Sequence, residues 1–306
     1  MLILGQMGIF FFMMLLGALA RHQGIITVQN RKAFTALVVG FTTPALILSC
    51  DISRFISHDY SYIAYGAMVM VALQLAQNVT GLIFPRLTRT PAKERGVVNM
   101  LYSCTNTALL GIPLVASLFG DEAMVYMSFF VVVDTIMLYS YGIFVMGGRE
   151  NRIPLKTILK NPCLISSIAL MLLIGFKLTL PEYVRGALSM VGMASPPLAM
   201  MVIGASLADL GFKETVTDMR LMLFVVLKMI AVPVILMFCL APLLNTPALQ
   251  GVALIVLSAP SGVMVAMLAT LYSPAGINSA SKGISATTAV SALTIPLVAV
   301  ICGMGV

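Results

Sequence analysis

Apolar runs of about twenty residues repeat along the chain, separated by short polar stretches. About twenty residues of helix cross the ~30 Å hydrocarbon core of a bilayer. The pattern therefore predicts transmembrane helices, not the amphipathic helices of a soluble domain. Ten spans follow from it, at 2–20, 33–50, 61–84, 97–118, 123–146, 161–180, 186–208, 219–241, 248–271 and 284–304. The first run, MLILGQMGIFFFMMLLGALA, ends in a cleavage-like Ala18-Leu19-Ala20. No basic residue precedes it and Arg21 follows, so it reads as the first span and not as a signal peptide.

Composition agrees with the pattern. Hydrophobic residues make up 60% of the chain and charged residues 9%, against about 25% charged in soluble domains. Fourteen of the eighteen Lys and Arg residues lie in the odd-numbered loops and three in the even-numbered loops. Basic loops stay on the cytoplasmic side, so both termini are expected outside the cell membrane. The net charge of +7 is then a topology signal, and no nucleic-acid partner is expected. The five cysteines are widely spaced in apolar runs without a metal or redox motif. No cofactor is expected. No phosphate-binding loop, zinc motif or nucleophile elbow occurs, so the chain is not read as an enzyme or an ATP-driven pump.

The basic loop 149–160 divides the spans five and five, giving a first repeat at 1–148 and a second at 161–306. Gly40, Pro44 and Leu46 in span two share their spacing with Gly192, Pro196 and Leu198 in span seven. Gly96, Ser103 and Asn106 in span four overlay Gly251, Ser258 and Ser261 in span nine without a gap. An odd number of spans per repeat turns the second repeat over, the inverted arrangement of many secondary transporters.

The matched spans four and nine also carry the most helix-weakening residues. Span four reads YSCTNTALLGIPLV, with Ser103, Thr105, Asn106, Thr107, Gly111 and Pro113; span nine has Ser258, Pro260, Ser261 and Gly262. Proline removes a backbone donor and crowds the preceding turn. Unsatisfied backbone groups in lipid cost several kcal/mol each, so such breaks persist only inside protein or beside a wet cavity. Pro113 and Pro260 are thus expected at helix breaks. Ser103, Thr105, Asn106, Thr107, Ser258, Ser261 and Gly262 are expected to bind substrate, the half-helix amino ends offering amides to an anion. No arginine lies mid-span to clamp that anion. Two charges lie deep in spans, Asp134 in span five and Lys228 in span eight. Buried charges of opposite sign favour pairing, and the pair is assigned a coupling or gating role.

At these residues the sequence resembles the auxin efflux carrier family, which includes the plant PIN carriers. Asn106-Thr107-Ala-Leu-Leu-Gly111-Ile-Pro113-Leu resembles the family's Asn-Thr-Leu-Val-Met-Gly-Ile-Pro-Leu, and Ala259-Pro260-Ser261-Gly262 resembles its Leu-Pro-Gln-Gly. Lys228 followed by Pro233 resembles a third pattern. The resemblance implies an all-α inverted repeat of ten helices, with broken helices four and nine crossing. Spans one, two, six and seven would form a scaffold, and spans three to five and eight to ten a transport part. It also implies a homodimer that carries a small organic anion, such as malonate, malate or an auxin-like acid, by alternating access. Two departures stand out. Thr105 occupies the place of the usual proline before Asn106, which shifts bending toward Pro113. Span three carries Gln74, Gln77 and Asn78 where plant members have an acid. The alternative function is a cation/proton antiporter or sodium-coupled symporter of the same fold, with protons or sodium as partner.

Overall fold

The computed structural model describes residues 2–57, 60–147, 158–208 and 218–304. Most of the expected basic loop (Arg149, Arg152 and Lys156 among it) lies outside the described residues, as do His58 and Lys213. The described residues are helical, apart from turns, short connections and one isolated β-bridge. Among the described residues, six helical stretches are long and apolar enough to cross a membrane: Arg31–Leu48, Ile63–Leu87, Thr107–Gly147, Glu182–Leu207, Met219–Leu243 and Pro274–Ile301. Three shorter apolar helices, Gly8–His22, Pro162–Gly175 and Pro247–Ser258, join them. The protein is a multi-pass membrane protein. Large apolar side chains such as Phe41, Leu87, Phe176 and Leu293 face outward, as a lipid-facing surface requires.

Local sequence explains the helix ends. Asn161 accepts hydrogen bonds from the amides of Cys163 (3.0 Å) and Leu164 (3.2 Å), with Pro162 opening the helix behind it. Thr246 caps Pro247–Ser258 by accepting from the Leu249 amide at 3.2 Å. Both follow the preference for a polar cap and an initial proline. The long stretch Thr107–Gly147 kinks at Gly120, where φ is +73°, a conformation that glycine alone adopts without strain. That kink separates the segments expected as the end of span four and as span five.

Three wide π-type turns share a cause. They cover Val38–Thr42, Thr107–Gly111 and Leu227–Ala231, and a proline follows each at Pro44, Pro113 and Pro233. A proline ring clashes with the carbonyl four residues back; the wider turn moves that carbonyl away. A fourth such turn at Leu138–Gly142 has no proline behind it.

Small residues let helices meet closely. Helix Leu2–His22 packs on Ser195–Leu207. A Cβ on Gly17 would strike the Met201 backbone, and one on Gly204 would strike the Met14 backbone. The buried apolar residues form two main cores. One holds Leu109–Val115 residues together with Leu249–Leu257; the other holds Val97–Cys104 residues together with Val265, Leu268 and Ala269. Each core thus contains one half of span four and one half of span nine, and the breaks lie at the seam.

Candidate functional site at the two helix breaks

Span four stops at Ser103 and resumes at Thr107; span nine stops at Ser258 and resumes at Met264. The two gaps lie against each other. Thr105 and Ser261 form an isolated antiparallel bridge. The Asn106 amide donates to the Pro260 carbonyl at 2.8 Å, and the Gly262 amide donates to the Cys104 carbonyl at 3.0 Å. Each break thereby satisfies backbone groups that the other has freed, which is what allows extended chain at membrane depth. Thr105 at the family's proline position is compatible with this. Pro113 does not make the break: it lies beyond the wide turn, in the helix Ile112–Met137. The tertiary pairing terminates the helix instead.

The chain ends left by the breaks are capped by side chains from neighbouring spans. Lys228, 1% exposed, donates its Nζ to the Tyr102 carbonyl at 2.8 Å. Gln74 donates Nε2 to the Ser103 carbonyl at 3.1 Å, and Gln77 donates Nε2 to the Val256 carbonyl at 3.0 Å. A cation at the carbonyl end of a helix also complements the helix dipole. On the far side of the first break, Asp134 Oδ2 accepts from the Thr107 hydroxyl at 3.2 Å, placing an anion by the amide end. The two intramembrane charges therefore hold opposite sides of the same break. They interact electrostatically with each other. No direct ion pair joins them among the described residues. Asp134 Oδ1 is buried without a hydrogen-bond partner among the described residues.

The expected ligands divide into two groups. Ser103 donates to the Asn99 carbonyl at 3.0 Å, Ser258 donates to the Leu254 carbonyl, and Ser261 donates to the Leu101 carbonyl at 2.7 Å. Their hydroxyl protons are engaged within the protein. Thr105 and Thr107 hydroxyls lie 3.3 Å apart and share bonds locally. The Gly262 amide, expected to face an anion, is taken by Cys104. Gly262 is required instead for clearance, since a Cβ there would lie 2.8 Å from Cys104 Sγ and 2.9 Å from the Thr105 carbonyl oxygen. Asn106 differs from all of these. It is 6% exposed, and its side-chain amide makes no hydrogen bond among the described residues. Beside it, the first amides of the resumed helices, at Ala108 and Leu109 and at Val263 and Met264, have no backbone partner among the described residues.

The family model for membrane transport proteins matches residues 2–158 and 151–299. The chain belongs to this family, that of the auxin efflux carriers. An uncharacterized transporter of Methanocaldococcus jannaschii is 27% identical over 298 residues, covering 93% of this chain and 94% of the relative. An uncharacterized transporter of Methanothermobacter thermautotrophicus is 24% identical over 221 residues, covering 68% of this chain and 69% of the relative. The protein is thus a membrane transporter, and its breaks lie at the residues that first suggested the family.

Sequence reasoning did not anticipate Gln74, Gln77 or Thr287 as parts of this site. Thr287 Oγ1 accepts from the Ser261 amide at 3.2 Å. A signal was present for the glutamines: Gln74 and Gln77 share one face of an otherwise apolar helix, and amides in a span need partners. A separate cavity of about 370 Å³ is lined by Asp51, Ser53, Glu182 and Arg185, and none of the expected site residues lines it. There the Ser53 amide, with the Ser53 hydroxyl and Arg185 adding to it, holds the Asp51 carboxyl below its usual range.

Proposed function

We propose that this transporter moves a small organic anion, most simply a carboxylate, as a secondary carrier working by alternating access. The observation that carries the reading is Asn106: a buried side-chain amide without a partner among the described residues, next to helix-start amides at both breaks that have no backbone partner among them either. Such groups suit a carboxylate, which accepts hydrogen bonds and favours the positive ends of helices. With each bond to a charged acceptor contributing about 1.5–3 kcal/mol, three or four give affinities on the order of micromolar or weaker once ordering costs are subtracted. A carrier must also release its cargo.

In this reading the chain is a ten-helix inverted repeat, with spans one, two, six and seven as scaffold and the remainder, including both breaks, as the moving part. Asp134 and Lys228 hold the first break and change their contacts as the anion arrives. Counterflow of labelled malonate or malate into proteoliposomes is the test. Uptake by the wild type, with its loss in Asn106→Ala at unchanged melting temperature, is the expected result. Unchanged affinity in that variant would sink the assignment. A second reading, cation/proton exchange, is favoured by the unpartnered Asp134 Oδ1. A sodium-driven pH change in the same liposomes, without anion counterflow, would replace the first reading with the second.

A further inference from the structure

We propose a second anion site, separate from the helix breaks, that takes a small carboxylate with an apolar body. It is a cavity of about 190 Å³ between the loop after Tyr60–Leu87, the first half of span four, and the starts of helices Met219–Val226 and Ile277–Ile301. Its polar lining includes Arg220, Lys282, Glu94 and Asp218, and its apolar wall is Val98, Leu101, Leu221 and Phe224.

The two acids of the cavity are already engaged. Glu94 Oε2 accepts from the Ser279 hydroxyl at 2.6 Å. Asp218 Oδ1 accepts from the Arg220 amide at 3.0 Å and the Leu221 amide at 3.3 Å, as a helix cap. The side chains of Arg220 and Lys282 have no partner among the described residues. Tyr102 supplies the independent sign of a ligand. The residue lines the cavity and is 1% exposed, and its hydroxyl has no hydrogen-bond partner among the described residues. Buried hydroxyls are ordinarily bonded. Two cations and a phenol without partners among the described residues, beside an apolar wall, match one carboxylate carrying an aliphatic or aromatic group.

The cavity is also wired to the breaks. Tyr102 stacks on Phe84 at 5.3 Å and meets Phe224 edge-on at 4.9 Å. Its backbone carbonyl receives Lys228, and the neighbouring Leu101 carbonyl receives Ser261. Residues 101 and 102 thus line the cavity while their carbonyls anchor the breaks. Occupancy of the cavity is felt at the breaks through this two-residue link.

Photolabelling with 4-azidobenzoate, on the full chain in lipid nanodiscs, tests the proposal. Label is expected on peptides holding Val98–Tyr102 or Leu221–Phe224, with protection by benzoate and not by neutral benzamide. Arg220→Gln, Lys282→Gln and Tyr102→Phe should each raise the protecting benzoate concentration about tenfold or more, while Lys93→Gln leaves it unchanged. Arg220 and Lys282 are exposed, so their variants remain folded even if Tyr102→Phe does not. Label absent from both peptides, equal protection by benzamide, or indifference to Arg220→Gln and Lys282→Gln overturns the site. Loss of labelling in Asn106→Ala also overturns it, by tracing the signal to the breaks; failure of transport in that variant with labelling intact leaves this site standing.

Discussion

Replacing Gly262 by alanine tests whether the pairing of the two breaks is the tight element of the fold. The added Cβ would lie 2.8 Å from Cys104 Sγ, 2.9 Å from the Thr105 carbonyl oxygen and 3.3 Å from its carbon. Two of these atoms are backbone of the opposing break, so no side-chain rotation relieves the crowding. The segments must separate, which weakens the Gly262–Cys104 bond of 3.0 Å and the Asn106–Pro260 bond of 2.8 Å. Each bond contributes about 0.5–1.5 kcal/mol net, and overpacking adds about 1–3 kcal/mol. The cost is then about 2–6 kcal/mol. At roughly 2 °C per kcal/mol for a large chain, melting should fall by roughly 4–12 °C, read by fluorescence-detected size exclusion after heating. Adding Cys104→Ala should recover only part, because the Thr105 clash persists. Gly40→Ala is the control: nothing lies within 4 Å of its added Cβ, so a change beyond about 0.5 kcal/mol is not expected. Equal melting and equal flux in wild type and Gly262→Ala would refute the reasoning.

Other outcomes follow from the same geometry. Asp134→Asn and Lys228→Met should each destabilise, and the double variant should cost less than their sum, with a coupling of about 0.5–3 kcal/mol in a thermal double-mutant cycle; zero coupling would make the two charges independent. Gln77→Leu strips the Val256 carbonyl of its donor and should cost about 1–3 kcal/mol, so an unshifted melting curve would discard the capping role. In a cysteine-free background, a cysteine added at the N-terminus should react with an impermeant maleimide on intact cells, and Lys93→Cys only after permeabilisation. The opposite pattern would invert the topology.

The sequence by itself determined the membrane class, the transporter family and the positions of both breaks, because these rest on local quantities. Apolar length, loop charge and the low helix tolerance of Pro260, Gly262 and the Ser103–Thr107 run act over a few residues each. The polar caps that the structure shows before Pro162 and Pro247 are equally local. The roles within the site were decided only by tertiary structure. Whether Ser261 faces a ligand or the Leu101 carbonyl depends on a partner 160 residues away. Gly262 was legible as a break residue, but its need for clearance arises from Cys104 and Thr105 across the seam. Pro113 looked like a hinge from its chemistry, and the pairing of Thr105 with Ser261 ended the helix earlier. Gln74 and Gln77 looked like a missing acid; their function appeared once the broken helices left carbonyls beside them. A helix break creates unsatisfied groups by local rules, while the groups that satisfy them come from whichever spans the fold packs nearby.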